Sequence, residues 1–510
     1  MDISEVVKDL HLISATGALS GEVSSVCYHS GACEENSLFI AVSGLNTDGH
    51  GFIDDAIRRG ARWIVHEKPF SPPENITVLK VSDSRRALGI AGRNFYADPS
   101  SALCLIGITG TNGKTTVTYL LEAIIAAAGF SPGVLGTVNY RFGGKTFPAP
   151  NTTPESLEFQ KILRQMVNEG VTHCVSEISS HALDLGRVDD CDFDIAIFTN
   201  LSQDHLDYHL TMERYFEAKR RLFQELLPKS RKENRRRMII NGDDPWGKRL
   251  MEETGDGILT FGLDAAYDVR ADDIRITLEG IEARIHVPGK TMRIASPLIG
   301  RFNLYNILAA TAGAFAIGIT PSAIEEGLSR MKGVPGRMEK VSRPGEPHVF
   351  VDYAHTDDAL KKAIENLSGF GGNRIVTVFG CGGDRDRGKR PIMGSVAATL
   401  SHVVIITSDN PRSEDPLAII GQIEEGIRPE GIRKVTPAEL SSSRQDRVYC
   451  IIPDRRSAVE TAVMTAQPAD IVLIAGKGHE DYQIIGKERL FFDDRIVARE
   501  SLIKRSGGLS

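Results

Sequence analysis

The stretch GITGTNGKTT, residues 107–116, constrains the fold of this chain more than any other feature. It follows an apolar run, Leu103 to Ile108, and precedes a helix-like run, Val117 to Ala128. A glycine-rich turn between a strand and a helix directs several backbone N–H groups at one point, where the helix dipole adds partial positive charge. The sequence therefore predicts a phosphate cradle on an α/β sheet.

This loop departs from the usual phosphate-loop spacing. The usual pattern requires a glycine at the position that Ile108 occupies, and Gly110 takes over its role here. We expect Lys114 to reach the β- and γ-phosphates, and the hydroxyl of Thr115 or Thr116 to hold Mg²⁺. The alternative is a glycine turn that merely caps a helix, which the strand–loop–helix context disfavours.

Length, charge and cysteine content limit the class of protein. A chain of 510 residues is too long for one core and suggests about three domains. The net charge of −7 argues against general nucleic-acid binding, and we expect the basic segment Arg231 to Arg237 to be a solvated loop. No secretory signal or membrane-length apolar run is present, and the 7 scattered cysteines lack metal-ligand spacing. We expect a cytoplasmic monomer that binds neither nucleic acid nor membrane.

The alternation of strand-like and helix-like runs predicts an α/β protein of three domains. They are a small N-terminal α/β domain (1–102), a central phosphate-loop domain with a parallel sheet (103–335) and a C-terminal Rossmann-like domain (336–510). A break is expected at Lys332 to Glu339, where glycine and proline interrupt a helix. The predicted strands are Ser37–Gly44, Arg62–Lys68, Leu103–Ile108, His173–Ser180, Phe193–Ser202, Arg237–Asp244, Arg374–Gly383, His402–Pro411 and Asp470–Glu480.

Polar residues at the ends of the central strands are candidate site residues, because parallel sheets bind ligands where their strands end. Glu177 ends one predicted strand, and Asp204, His205 and Asp207 follow the next. Carboxylate and imidazole groups facing a phosphate loop suit Mg²⁺ and phosphate. Each alone could equally cap a strand or helix. Lys219 lies in a helical segment, and periodicity alone would make it a surface lysine.

Several motifs together resemble the Mur ligases, the ATP-dependent ligases that build the peptidoglycan precursor. In chain order they are GITGTNGKTT, NTTPESL, SEISSHAL, TNLSQDHLDYH, YFEAKRRLF, GRFNLYNILAA, GVPGRMEKV, VDYAHTDDAL, FGCGGDRDRGKRPIMG, SDNPRSEDP and IAGKGHEDYQ. The resemblance covers nearly the whole chain and is strongest to the family member that adds the third amino acid.

The resemblance implies an ATP site and a magnesium site. The implied ATP-binding residues are Gly110, Thr111, Asn112, Gly113, Lys114, Thr115, Thr116, Asn303, Asn306, Arg337 and Asp352. The implied Mg²⁺ ligands are Thr115, Glu177, His205 and Lys219, with Lys219 carbamylated by CO₂. A free ammonium would repel Mg²⁺, whereas a carbamate offers it an anionic oxygen. Lys114, Glu177, His205 and Lys219 are the implied catalytic residues.

The resemblance also implies that UDP-N-acetylmuramoyl-L-alanyl-D-glutamate is the acceptor substrate. Residues similar to the family's contacts with it are Ser30, Leu45, Asn46, Thr47, Asn151, Thr152, Thr153, Ser179 and Arg187. The chain has His29, Ser30 and Gly31 where the family commonly has Asp-Ser-Arg, which puts the uridine or pyrophosphate contacts in doubt. Leu185 likewise replaces a polar contact seen in relatives.

The segment DNPR, Asp409 to Arg412, indicates which amino acid is added. Diaminopimelate differs from lysine by a second carboxylate, which an arginine fork binds bidentately while repelling the ammonium that ends lysine. Arg412 therefore favours diaminopimelate, although Asn-Pro-Arg after a strand could also be a simple turn, and the meso isomer is what the resemblance implies. The implied diaminopimelate-binding residues are Arg385, Asp409, Asn410, Pro411, Arg412, Gly476 and Glu480.

The implied reaction transfers a phosphoryl group from ATP to the γ-carboxylate of D-glutamate, and the incoming amine then displaces phosphate to form an amide. The base that deprotonates the incoming amine is not evident from the sequence, because His355 could serve as that base or could instead orient the domain interface. A ligase of the same architecture could use lysine, D-alanyl-D-alanine, or folate plus glutamate. A phosphate-loop switch that only binds and hydrolyses ATP is the alternative from another class.

Overall fold

The structure, a computed structural model, describes residues 1–44, 47–255, 257–371, 374–441 and 447–507. The chain divides into two compact units. Unit 1 comprises Met1–Asp273, Ala283–Ile294 and Tyr305–Arg330, and unit 2 comprises Ile274–Glu282, Ala295–Leu304 and Met331–Ser510. The predicted boundaries at residues 102 and 335 stay predictions.

The N-terminal part of unit 1 carries a sheet of its own. Its strands are β1 (Leu12–Thr16), β2 (Ser25–Cys27), β3 (Ser37–Ile40), β4 (Ala61–His66) and β5 (Thr77–Val81), and its helices are α1 (Ile3–Val6), α2 (Ile53–Arg58) and α3 (Ser84–Phe95). The order is β1-β5-β4-β3-β2, parallel except for β1. The strands predicted at Ser37–Gly44 and Arg62–Lys68 are present but shorter.

A larger sheet carries the phosphate loop. Its strands are β6 (Cys104–Thr109), β7 (Pro132–Leu135), β8 (Tyr140–Phe142), β9 (Lys145–Phe147), β10 (His173–Glu177), β11 (Ile195–Phe198), β12 (Arg237–Asn241), β13 (Ile258–Gly262), β14 (Val269–Ile276), β15 (Ile281–Val287) and β16 (Lys290–Ser296). The order is β16-β15-β14-β13-β12-β11-β6-β10-β7-β8-β9. Strands β13, β12, β11, β6, β10 and β7 run parallel, so their polar carboxyl ends lie along one edge.

Helices follow most strands of this part, and some of them begin at a side-chain cap. They are α4 (Lys114–Ala127), α5 (Ser156–Asn168), α6 (Ser180–Asp184), α7 (Leu206–His209), α8 (Met212–Arg221), α9 (Leu227–Lys229), α10 (Pro245–Thr254), α11 (Arg301–Ala316) and α12 (Pro321–Arg330). Thr211 caps α8 by accepting from the Arg214 N–H at 3.2 Å. A π-helical turn, Leu222–Leu226, follows α8 directly and makes a local irregularity of the kind often found at functional sites.

The basic segment at 231–237 is mostly exposed, in agreement with the predicted solvated loop, but ion pairs tie it to the fold and one of its side chains, Lys232, is buried. Lys232 Nζ donates to Asp194 Oδ2 at 2.7 Å, and its side chain is 8% exposed. Arg235 pairs with the same aspartate at 2.8 Å, and Arg231 pairs with Asp192. Asp194 is buried, and burying a carboxylate requires such partners. The sequence could not show them because they lie far away along the chain.

Unit 2 contains a Rossmann-like sheet. Its strands are β17 (Glu339–Lys340), β18 (His348–Asp352), β19 (Ile375–Phe379), β20 (Val403–Ile406), β21 (Arg433–Lys434), β22 (Val448–Ile451) and β23 (Ile471–Ala475), in the order β17-β18-β23-β19-β20-β22-β21. A separate hairpin pairs β24 (Tyr482–Ile485) with β25 (Glu488–Phe491). The helices are α13 (Asp357–Ser368), α14 (Lys389–Leu400), α15 (Pro416–Ile427), α16 (Arg455–Thr465) and α17 (Asp494–Gly507). All sheet pairs are parallel except β17 with β18.

Over the described part of the chain, no helix combines the length and the apolar character that crossing a membrane requires.

Candidate active site

The loop between β6 and α4 has the geometry of an anion cradle. Gly110 and Gly113 have φ values of +146° and +89°, which side chains other than glycine rarely adopt. Lys114 folds back over the loop and donates from Nζ to the carbonyls of Gly110 and Thr111, both at 2.9 Å. The Asn112 N–H donates to Asn200 Oδ1 at 3.0 Å, so the end of β11 supports the loop.

The glycines are needed because neighbouring groups lie against the loop. A Cβ at Gly113 would lie 2.2 Å from Asn306 Oδ1, and one at Gly110 would lie 2.0 Å from Thr199 Oγ1. The structure therefore places Asn306 beside the loop, and its contact with the adenine stays a prediction. Asn303 lies one turn earlier on α11, where its Nδ2 donates to the Ile299 carbonyl at 2.9 Å.

Glu177 is buried where β10 ends and is fixed by hydroxyl and amide donors. Its Oε2 accepts from Thr115 Oγ1 at 3.1 Å and from Thr137 Oγ1 at 3.0 Å, while its Oε1 accepts from the Thr137 N–H at 2.9 Å. Thr116 is buried one residue further along α4. A carboxylate beside a hydroxyl at the start of this helix is a suitable pair of oxygen ligands for a hard cation.

Lys219 is buried against the loop rather than exposed on its helix. It is 1% exposed, and its Nζ donates to the Gly110 carbonyl at 2.9 Å and contacts Thr109 Oγ1 at 3.4 Å. The ring of Tyr215 lies 4.6 Å from Nζ. Burial, with the nearby charge of Lys114, holds the pKa of Lys219 well below its usual value. Two lysines thus share the Gly110 carbonyl.

Histidines that the sequence reasoning did not single out lie beside His205. His205 sits in the left-handed region at φ +53°, and its ring is 6.0 Å from that of Tyr215. The His181 ring is 5.1 Å from His205, and the buried His209 is 5.2 Å from Tyr215. Both occur in the motifs SEISSHAL and TNLSQDHLDYH, which was the available sequence signal. Among the described residues, no three His, Cys, Asp or Glu side chains form a metal-binding cluster.

A cavity of about 420 Å³ lies in the N-terminal part of unit 1. Ser30 and Thr47, two predicted uridine contacts, line it, as do His29 and Gly31 of the departure from the family pattern. Leu45 and Asn46 lie outside the described residues. Glu155 lines the same cavity and accepts from Arg85 Nη1 at 2.8 Å.

The other predicted acceptor contacts gather beside Glu177. Thr153 Oγ1 donates to the Glu177 carbonyl at 2.8 Å and accepts from the Ser179 N–H at 3.0 Å. Arg187 Nη1 donates to the Thr153 carbonyl at 3.2 Å, and its Nε lies 3.4 Å from Glu155 Oε2. The two predicted contacts just before Thr153 also have partners. Thr152 Oγ1 lies 3.1 Å from Thr137 Oγ1, and the Asn151 carbonyl accepts from Tyr140 Oη at 2.5 Å. These residues join the cavity to the edge of the sheet.

In unit 2, the residues of the predicted amino-acid pocket lie where β20 and β23 end, and their role stays a prediction. Asn410 Nδ2 donates to Glu480 Oε2 at 3.0 Å, and burial raises the pKa of the Glu480 carboxyl. A Cβ at Gly476 would lie 2.6 Å from Asp409 Oδ2, so a residue with a side chain does not fit at this position.

Arg412 is held rigidly in the same pocket. Its backbone is in the left-handed region at φ +50°, its N–H donates to the Ile484 carbonyl at 3.1 Å, and its Nη1 donates to the Gly383 carbonyl at 2.7 Å. Such strain in a non-glycine residue is often found at functional sites. Pro411 is buried beside it. Gly382 lies close to both arginines of the predicted pocket, because a Cβ added to it would lie 2.9 Å from Arg412 Nη1 and 3.7 Å from Arg385 Cγ.

Arg337 and Asp352 are neighbours in unit 2. Asp352 ends β18, and its Oδ2 and Oδ1 accept from the N–H groups of Met338 and Ala354 at 2.6 and 2.9 Å. The Arg337 guanidinium lies 4.8 Å from the Tyr353 ring. His355 is exposed, with its Nδ1 2.8 Å from the Tyr353 carbonyl, and its role as a base stays a hypothesis.

Comparison with known proteins decides the family. The Mur ligase middle domain matches residues 108–314, the Mur ligase glutamate ligase domain matches 336–478, and the Mur ligase family catalytic domain matches 22–96. The chain is 46% identical to the UDP-N-acetylmuramoyl-L-alanyl-D-glutamate–2,6-diaminopimelate ligase of Geobacter metallireducens, over 97% of each chain. The chain belongs to the Mur ligase family. A ligase of the same name from Geobacillus thermodenitrificans is 45% identical over 92% of each chain.

Solved structures agree with this assignment. A structure of a UDP-N-acetylmuramoyl-L-alanyl-D-glutamate–2,6-diaminopimelate ligase is 33% identical with a TM-score of 0.71, covering 99% of each chain. MurF from Acinetobacter baumannii, at 19% identity and a TM-score of 0.61 over 95% of this chain and 93% of that one, shares the fold. The predicted class, a three-domain α/β Mur ligase architecture, is confirmed.

Proposed function

We propose that this chain adds meso-diaminopimelate to UDP-N-acetylmuramoyl-L-alanyl-D-glutamate, using ATP and Mg²⁺, in cytoplasmic peptidoglycan precursor synthesis. The observation that carries the proposal is the convergence of Lys114 and Lys219 on the Gly110 carbonyl, both at 2.9 Å. The Lys114 ammonium at the N-terminus of α4 favours a highly charged phosphate chain, and Lys219 lies close enough to the loop to offer, as its carbamate, a ligand to the cation that such a chain carries. The relatives named above, similar over nearly the whole chain, support the choice of substrates.

The residues at the loop fit a nucleotide with its cation. A Cβ would fill the cradle at Gly110 or Gly113, and Thr115 with Glu177 offers hard oxygen ligands. Asn306 would lie on the adenine side of the nucleotide. When bound, Mg²⁺ would neutralise phosphate charge, with Thr115, Glu177, His205 and a carbamylated Lys219 as its protein ligands.

The chain's own contribution is electrostatic and positional. Lys114 and the N–H groups of the loop would stabilise negative charge that develops as a phosphoryl group moves to the γ-carboxylate of the acceptor. The depressed pKa of Lys219 keeps part of its amine unprotonated, and the unprotonated amine is the form that reacts with CO₂ to give a carbamate. Thr153, Ser179 and Arg187 would hold the acceptor beside Glu177.

The amino-acid pocket would select by charge at both ends of diaminopimelate. Arg412, fixed by its backbone and by Gly383, presents a guanidinium that would bind the distal carboxylate. Glu480 would accept the distal ammonium. Lysine has no carboxylate there, so binding it would leave Arg412 unpaired.

The test is phosphate release with ATP, Mg²⁺ and the UDP-muramyl dipeptide, comparing meso-diaminopimelate, lysine and no amino acid. The proposal predicts release and tripeptide product with diaminopimelate alone. Turnover with lysine would contradict the assignment of Arg412 as the residue that binds the distal carboxylate. Equal release without an amino acid, and no product, would indicate a phosphate-loop switch instead.

A further inference from the structure

Lys477 is a fully buried lysine that the reaction outlined above does not use. It follows β23 in the motif IAGKGHEDYQ, and its side chain is 0% exposed. Its Nζ donates to Asn410 Oδ1 at 2.9 Å and to the Tyr482 carbonyl at 2.7 Å. A buried ammonium requires such partners, since burying an unpaired charge is costly. Its neighbours belong to the candidate amino-acid pocket.

Lys477 fixes which way the Asn410 amide points. An ammonium can only donate, so the amide oxygen must face it. The same oxygen also accepts from the Ile484 N–H at 3.0 Å. The amide nitrogen is therefore turned to Glu480, where Nδ2 donates to Oε2 at 3.0 Å. A chain of contacts from Lys477 through Asn410 thus sets the position of the Glu480 carboxylate.

Charges around Lys477 reinforce this arrangement. Its Nζ lies 3.7 Å from Asp409 Oδ1 and 3.7 Å from Glu480 Oε2. Asp409 in turn lies 3.9 Å from Arg455, which forms a fully buried pair with Asp494. Acids and bases alternate through the network, so removing one member leaves a neighbour with an unpaired charge. The floor of the pocket is a connected ionic network.

We propose that Lys477 is a positioning residue that sets the pocket's affinity for the amino acid, by orienting Asn410 and Glu480 toward its distal ammonium. This inference rests on the proposed function. Without Lys477 the Asn410 oxygen keeps only the Ile484 N–H as a donor, so the amide is held less firmly toward Glu480, and Glu480 loses an opposite charge. An amino acid with an ammonium and a carboxylate at its far end then loses half of its recognition.

The test is the variant Lys477→Met, which keeps an unbranched side chain and removes the charge and its donors. The matched control is Arg374→Met, because Arg374 pairs with Asp470 at 2.7 Å just before β19 and β23, at the end of those strands away from the pocket. We expect the KM for diaminopimelate to rise at least tenfold in Lys477→Met only. The KM values for ATP and for the UDP-muramyl dipeptide should stay within about twofold in both variants.

An unchanged KM for diaminopimelate in Lys477→Met, or an equal rise in Arg374→Met, would overturn the inference and show that the lysine only supports the fold. The wild-type assay separates this outcome from a wrong function, because a wild-type protein without diaminopimelate turnover would refute the proposed function itself.

A second variant keeps the test decisive if Lys477→Met does not fold. Asn410→Asp retains an oxygen acceptor for Lys477 but turns a second carboxylate oxygen toward Glu480, so the KM for diaminopimelate should rise at least tenfold. An unchanged value would overturn the inference. Where both variants fold, the double variant should be no worse than the more severe single one, since both act through one chain of contacts. A double variant whose KM for diaminopimelate rises by the product of the two single effects would contradict a shared chain of contacts.

Discussion

Replacing Gly113 by alanine should disable the phosphate loop without unfolding the protein. The two ends of α4 offer a matched pair of glycines, since Gly113 has φ +89° before the helix and Gly129 has φ +82° after it. An alanine at either position carries similar backbone strain, about 1–2 kcal/mol. Only Gly113 also meets a neighbour, because its Cβ would lie 2.2 Å from Asn306 Oδ1, while a Cβ at Gly129 has nothing within 4 Å.

Relieving that contact requires a shift of about 1 Å, given a van der Waals separation of ~3.5 Å. A misplacement of this size can lower the rate of a positioned reaction by about 100-fold. We therefore expect Gly113→Ala to lower kcat/KM for ATP by about 100-fold relative to Gly129→Ala, with similar melting temperatures for the two variants. Steady-state phosphate release and differential scanning calorimetry measure both quantities. Activities of the two variants within about threefold of each other would refute the account of the loop.

Three further predictions concern unit 2. Arg412→Lys should raise the KM for diaminopimelate at least tenfold while leaving the KM for ATP unchanged, because an ammonium cannot bind a carboxylate bidentately; an equal rise in both would contradict this. Asp494→Asn should lower the free energy of unfolding by about 3 kcal/mol, because it leaves the buried Arg455 without the charged partner that lies 2.7 Å away. Urea denaturation measures this change, and a loss below about 1 kcal/mol would contradict the prediction. Burial lowers the pKa of His479 to about 4. As the pH falls from about 6.5 to 4, the unfolded chain therefore binds a proton that the folded protein does not, and the free energy of unfolding falls by up to about 3 kcal/mol. His479→Gln should therefore flatten the fall in melting temperature over that pH range, and an unchanged slope would contradict the assignment.

The parts of the fold that the sequence predicted are those fixed by local pattern. Apolar runs such as Cys104–Thr109 in unit 1 and Ile471–Ala475 in unit 2 became buried parallel strands, and within each sheet the polar residues after the strands lie along one edge because parallel strands end together. Glu177 could be placed for this reason. Strand ends were predicted too long, because polar residues just past each strand belong to loops.

Residues whose role depends on distant partners could not be placed by local pattern. Helical periodicity made Lys219 a surface residue, and only the family resemblance pointed to the site where the structure buries it. Lys477 carries no local sign of burial, since its ammonium is held by the distant Asn410 side chain and by a backbone carbonyl, that of Tyr482, which residue type does not reveal. The assignment of Ile274–Glu282 and Ala295–Leu304 to unit 2 also depends on long-range contacts that periodicity does not reveal.

The most direct test of the proposed reaction is to follow oxygen from the acceptor into phosphate. The UDP-muramyl dipeptide is prepared with ¹⁸O in the γ-carboxylate of its D-glutamate, and the phosphate released with ATP, Mg²⁺ and meso-diaminopimelate is analysed by mass spectrometry. Activation as an acyl phosphate predicts one ¹⁸O atom in each phosphate released, matched by one amide bond in the product. Phosphate without ¹⁸O would contradict the account, because ATP would then be hydrolysed without activating the carboxylate.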